Sequence, residues 1–168
     1  PASLTEANQA LIKDVLKGSP NKIELYVLGS SDEIAEALTY FEGVEFNLMC
    51  MPQGESSDVT AIKSFIKKMN DVVKYKCDVI LANEEADSEA IINYTAKDIV
   101  VNGETIETSN HTARIAGLIE GTPLHQSITF ATLSDVNSIE NLTKEEADSR
   151  INNGELILVR EMGKVRVA

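Results

Sequence analysis

Apolar and polar residues alternate along the first half of the chain with two periods, that of helices and that of strands. The stretch "SLTEANQALIKDVLKGSP" places Leu11, Ile12, Val15 and Leu16 on one helical face, and Gly18 and Pro20 stop it. The β-prone run "KIELYVLG" predicts a strand, and "SSDEIAEALTYF" a helix capped by Ser or Asp. "FNLMCMP" reads as a second strand. "SSDVTAIKSFIKKMNDVV" repeats Val59, Ile62, Phe65, Ile66 and Met69 at helical spacing, and "CDVILAN" reads as a third strand. Strands alternating with helices imply a parallel βαβαβ core covered by helices.

The pattern then changes. "DIVVNGETIET" carries Asn102-Gly103 between β-prone arms, which predicts a hairpin. A helix over 112–120 and a polar loop follow. Thr143 and Glu146 form a capping box that opens another helix, Gly154 stops it, and a terminal hairpin turns at Met162-Gly163. No internal repeat or low-complexity linker interrupts this order. The expected fold is α/β: one domain over 1–168, with a mixed sheet whose βαβαβ core is followed by β-hairpins and helices.

The helix inside "HTARIAGLIEGTPLHQSIT" has almost no wet face. At about 100° per residue, Ile115, Leu118 and Ile119 form one apolar side, while Ala113, Gly117 and Gly121 line a second. Gly117 inside a helix costs roughly 1 kcal/mol relative to Ala. Close approach of another backbone would explain it. Gly121 reads as a left-handed C-cap, and Pro123 forbids continuation. Phosphate binding needs the N–H groups of a helix start, whereas these residues sit at the helix end. The turn is therefore built for packing, either inside this domain or against a partner chain.

Charge and composition narrow the function classes. The formal charge of −12 argues against nucleic acid and anionic membranes as partners, and an aromatic content of 5% without Trp gives little to stack on bases. No apolar run approaches the ~20 residues of a spanning helix. Cys50 and Cys77 read as buried free thiols without metal spacing. Asn93, Asn110 and Asn141 open glycosylation triplets that mean little without a secretory signal.

Candidate chemistry is thin. "VLGSSDEIAEAL" has a strand–turn–helix form but lacks the glycine and lysine signatures, and Asp32 and Glu33 stand where an anion would sit; a plain helix cap is expected. Glu84, Glu85 and Asp87 in "NEEADSEA" follow the third strand and suit a solvated helix start; Mg²⁺ with a phosphorylated substrate is the chemical alternative. His111 is expected at a helix cap, and His125, near Ser127, in a polar loop with no triad implied. No catalytic, cofactor-binding or metal residue is assigned. The rival expectation is a small α/β phosphometabolite-binding domain or Mg-dependent enzyme using Ser30, Ser31, Glu84, Glu85 and Asp87.

"ARIAGLIEGTPLHQSITFATL" followed by "LTKEEADSRINNGELILV" resembles the contractile tail sheath proteins of bacteriophages and related phage-tail-like particles. The family pattern falls on Ala116, Gly117, Gly121, Pro123, Gln126, Ser127, Thr129, Leu142, Thr143, Gly154 and Leu156. The opening "IKDVLKGSPNKIELYVL" is similar to the helix–Gly–Pro–strand that begins the family's α/β domain. The resemblance implies a structural role without an active site. Subunits of that family stack in rings around a tail tube and contract to drive it through a cell envelope. It also implies a virion-tail location, with other sheath subunits and the tube as partners of the full-length protein. Such proteins are longer, so the chain reads as a fragment without an N-terminal β-rich portion or a C-terminal tube-facing domain, monomeric by itself.

Overall fold

The computed structural model describes residues 4–29 and 33–168. Helix α1 (Glu6–Leu16) starts where the Thr5 hydroxyl accepts from the Asn8 N–H, and it runs out into Gly18 and Ser19. Helix α2 (Ile34–Glu42) precedes strand β1 (Leu48–Cys50). Helix α3 (Ser56–Lys68) widens into a π-helical turn, Met69–Val73, that ends at left-handed Lys74. There the buried Asn70 amide donates to Ile66 O and Cys77 O, steering the chain into strand β2 (Asp78–Ala82). Strands β3 (Ile91–Tyr94), β4 (Ile99–Val101) and β5 (Glu104–Ile106) follow, then helix α4 (Thr108–Gly121). Strand β6 (Val136–Ser138), helix α5 (Lys144–Asn152) and strands β7 (Glu155–Leu156), β8 (Leu158–Glu161) and β9 (Lys164–Val167) complete the chain.

The α/β character stands, with parallel and antiparallel strands in separate sheets. One sheet is four-stranded and parallel, in the order β1-β2-β3-β7; another is antiparallel, β5-β4-β6; and β8 pairs with β9 as a hairpin. Period-two alternation along β2 divides the core. Val79 and Leu81 point toward α3, joining Ile62, Phe65, Ile66 and Met69. Ile80 points the other way, joining Tyr94, Ile115 and Ala116 together with Leu133, Leu158 and Val165.

Several expectations hold at the residue level. Asn102 and Gly103 take φ of 52° and 86°, and Met162 and Gly163 take 49° and 76°, so both hairpins turn with paired positive φ. Gly154 sits at φ 79°, and the Thr143–Glu146 capping box is formed on both sides.

Others are corrected. Residues 22–28 pair with no strand, although "KIELYVLG" is β-prone. Residues 83–90 open no helix; they form the return loop between parallel neighbours β2 and β3, and Ile91 begins a strand at once. Helix α4 starts at Thr108, a turn before the expected 112, so His111 lies inside it and is no cap. Gly121 is the last helical residue and is not left-handed; Thr122 closes the helix at φ −85°. Ser30, Ser31 and Asp32 lie outside the described residues, and Glu33 caps α2 without a side-chain bond.

Candidate functional site

Every residue of α4 from His111 to Gly117 is buried, and α1 lies directly across its small side. A Cβ on Gly117 would overlap Val15 O, one on Gly18 would overlap Gly117 C and O, and one on Gly121 would overlap Gly18 O. The two backbones touch, with no room for a methyl group between them. The question left open by periodicity is thereby settled for α4: the close approach is internal, between α1 and α4. It also explains why Gly121 must be glycine while keeping ordinary helical backbone angles.

Charges pin the same seam. Arg114 on α4, 8% exposed at its side chain, holds Asp135 through Nε at 3.0 Å and Nη2 at 3.2 Å. Lys17, just past α1, bridges Asp14 at 2.7 Å and Asp135 at 3.0 Å. Burial opposes the charge on Asp135, but the Arg114 and Lys17 hydrogen bonds prevail and hold its pKa at about 2. One helical turn from Arg114, His111 Nδ1 shares a 2.7 Å hydrogen bond with the buried Tyr94 hydroxyl, while His111 Nε2 has no partner among the described residues. Burial pushes the His111 pKa down to about 4; Asp135 and Asp14 oppose this, and Arg114 and Lys17 reinforce it.

These two shifts set the acid response. His111 is more basic unfolded than folded, so its contribution is present above pH 6.5 and is lost as pH falls from there toward 4. That loss is on the order of 3 kcal/mol. Asp135, depressed from 3.8 to about 2, adds stability that persists above pH 3.8 and disappears between there and 2. Thermal unfolding followed against pH should therefore show the melting temperature falling below pH 6.5. His111→Phe should flatten the segment between pH 6.5 and 4 and leave the lower one.

A second region lies past the carboxyl ends of β2 and β3, where open parallel sheets often place ligands. Its cavity, about 520 Å³, is lined by Asn83, Glu85, Asn93, Thr95, Lys97, Glu140, Leu142, Glu146, Ser149, Arg150 and Glu155. Arg150 is already engaged in the wall. Its Nε donates to Glu155 at 2.8 Å, its Nη1 to Glu140 at 2.8 Å, and its Nη2 to Thr95 O and Oγ1. Carboxylates outnumber cations there, which disfavours an anionic substrate.

The candidate acidic turn does not converge on one point. Glu84 is paired with Lys63 at 2.9 Å, Glu85 lines the cavity, and Asp87 is exposed. Among the described residues, no three His, Cys, Asp or Glu side chains are grouped to hold a metal. His125 is exposed, and Ser127 Oγ accepts from the Thr129 N–H as a turn. Cys77 is buried and Cys50 half-buried; both are free, and burial pushes the Cys50 thiol up to about 12. Sequence reasoning missed Arg150 as the centre of a network, because its partners Thr95, Glu140 and Glu155 are brought together only by the folding of α5 against β3 and β7.

The family profile of the phage tail sheath protein central domain matches residues 30–168. The chain belongs to the phage tail sheath family. A tail sheath protein of Clostridium phage phiCD119 is 39% identical over 176 aligned residues, covering 100% of this chain and 49% of that protein. The phage-like element PBSX protein XkdK of Bacillus subtilis is 26% identical, over 76% of this chain and 28% of its own length. The chain thus spans about half the length of the first of these relatives and less of the second. Among solved structures, a sheath tail protein from Listeria innocua superposes with a TM-score of 0.74 at 26% identity, over 80% of this chain and 32% of that one. The anti-feeding prophage helical sheath in its contracted state shares the fold, with a TM-score of 0.74 at 14% identity over 99% of this chain and 51% of that one. The sheath-like motif at Ala116, Gly117 and Gly121 falls on the helix that receives α1.

Proposed function

We propose that this chain is the α/β body of a longer sheath subunit. In the parent it packs with other sheath subunits around a tail tube, in a phage or phage-tail-like particle, and contributes rigidity to a contractile assembly without a catalytic step. The observation that carries this reading is the α1–α4 seam, where glycines bring two backbones into direct contact and an Arg114–Asp135–Lys17 network fixes them. A contractile sheath works by shifting interfaces between stiff units, and stiffness inside the unit is what this seam supplies. The tube-facing domain and the N-terminal β-rich portion belong to the rest of the parent. The acidic cavity, its guanidinium engaged internally, favours this reading over phosphometabolite chemistry.

The test expresses the full-length parent together with its tube protein and images the product by negative-stain electron microscopy. Sheathed tubes are expected. In parallel, the isolated chain is screened for thermal shifts with sugar phosphates, nucleotides and Mg²⁺. No shift is expected, because a tight ligand must raise the melting temperature by mass action. Absence of sheathed tubes together with a clear ligand shift would overturn the reading.

A further inference from the structure

Among the described residues, four side-chain nitrogen or oxygen atoms are buried without a hydrogen-bond partner: Asn110 Oδ1, His111 Nε2, Arg114 Nη1 and Arg166 Nε. The last, on β9, has the Glu161 carboxylate at 3.2 Å. The other three belong to one face of α4, because residues three and four apart on a helix are neighbours. His111 and Arg114 are only 2% and 7% exposed. Buried polar atoms left over by the protein are normally satisfied by ordered water or an ion.

The surrounding groups fix what each atom offers. Asp135 takes Nε and Nη2 of Arg114 and also Lys17 Nζ, which leaves Nη1 as a donor with nothing to receive it. The Tyr94 hydroxyl is fully buried, and burial raises its pKa, so it keeps its proton. His111 Nδ1, at 2.7 Å, is its one side-chain partner, so the hydroxyl donates there. His111 is neutral, its pKa held at about 4. A neutral imidazole that accepts at Nδ1 carries its proton on Nε2. The face therefore presents two donors, His111 Nε2–H and Arg114 Nη1–H, and one acceptor, Asn110 Oδ1.

We propose that α4 holds one internal water molecule, which accepts from His111 Nε2–H and Arg114 Nη1–H and donates to Asn110 Oδ1. Three hydrogen bonds are the usual number for a buried water. The donor count also selects the ligand. A simple anion could not donate to Asn110 Oδ1, and a metal cation could not accept from the two N–H groups. The water completes the hydrogen bonding of Arg114, whose other nitrogens hold the Asp135–Lys17 network beside α1. The inference is independent of the sheath reading.

NMR of the ¹⁵N-labelled wild-type chain at neutral pH tests this at His111. The proton is expected on Nε2, protected from exchange, with a cross-peak to water whose sign marks a molecule tumbling with the protein. Asn110→Leu is expected to lose that cross-peak while keeping the Nε2 proton, since Tyr94 still sets the tautomer. A proton on Nδ1 in the wild-type chain would overturn the proposal, as would an Nε2 proton that exchanges freely with bulk solvent or shows no water cross-peak. A cross-peak unchanged in Asn110→Leu would overturn the three-point site.

Discussion

Gly117→Leu is expected to lower the melting temperature by about 6–12 °C, the equivalent of roughly 3 kcal/mol for a chain of this size. The reason is geometric. A Cβ alone at this position already overlaps Val15 O, so a leucine cannot be accommodated by rotamer choice, and the backbones must part. Undocking of α1 relieves the overlap, so limited proteolysis should cleave first around residues 17–22 in the variant. Gly117→Ala should destabilise as well, the reverse of the usual gain of roughly 1 kcal/mol for alanine in a helix. Gly43→Ala is the control: its Cβ would meet only Tyr40 O, at an ordinary 3.6 Å, and little change is expected. A wild-type melting curve for Gly117→Leu would show that α1 does not rest on α4 in solution.

Arg150→Ala should cost about 3 kcal/mol, because removing one partner of a mostly buried ion network leaves the others uncompensated. The side chains of Arg150, Glu140 and Glu155 are each 16% exposed, and the guanidinium also holds Thr95. Helix α5 has no buried residue of its own, so this network is its main attachment to β3 and β7. Urea denaturation measures the loss. Adding Glu155→Gln to Arg150→Ala should recover part of it by removing one stranded charge, a non-additivity expected of groups in direct contact. Full additivity would mean that Arg150 acts through its aliphatic stem alone.

Much of this architecture was legible in the chain. Local rules sufficed wherever one segment determines its own shape: the helical repeat ending in Ile62, Phe65, Ile66 and Met69, the Asn102-Gly103 and Met162-Gly163 turns, and the Thr143–Glu146 box. They failed where a distant partner decides. Acidic residues suit helix N-termini, yet residues 83–90 form a loop, in which Asn83 at φ 56° turns the chain back toward β3. Short β3 and β6 carried no run long enough to stand out. Gly121 looked like a cap because a glycine before proline usually is one; its actual constraint is Gly18 O, on another helix.

For the site, the reading of the helix in the 111–129 segment as a packing device holds, because helix polarity and small-residue spacing are local facts, whereas residues 123–127 that follow it are exposed. Its partner was not legible. Nothing in the spacing of Gly117 says that Val15 arrives there, and only the fold brings Gly18, Gly117 and Gly121 together. The Arg114–Asp135–Lys17 network was hidden for the same reason: its members come from three separate stretches of sequence.

Cryo-electron microscopy of the parent's sheath, in extended and contracted forms of one particle, addresses the claim of internal rigidity most directly. The prediction is that α1 stays seated on α4 in both forms, Gly117 against Val15, while only contacts between subunits rearrange. A map in which α1 leaves α4 and docks on a neighbouring subunit in either form would contradict it.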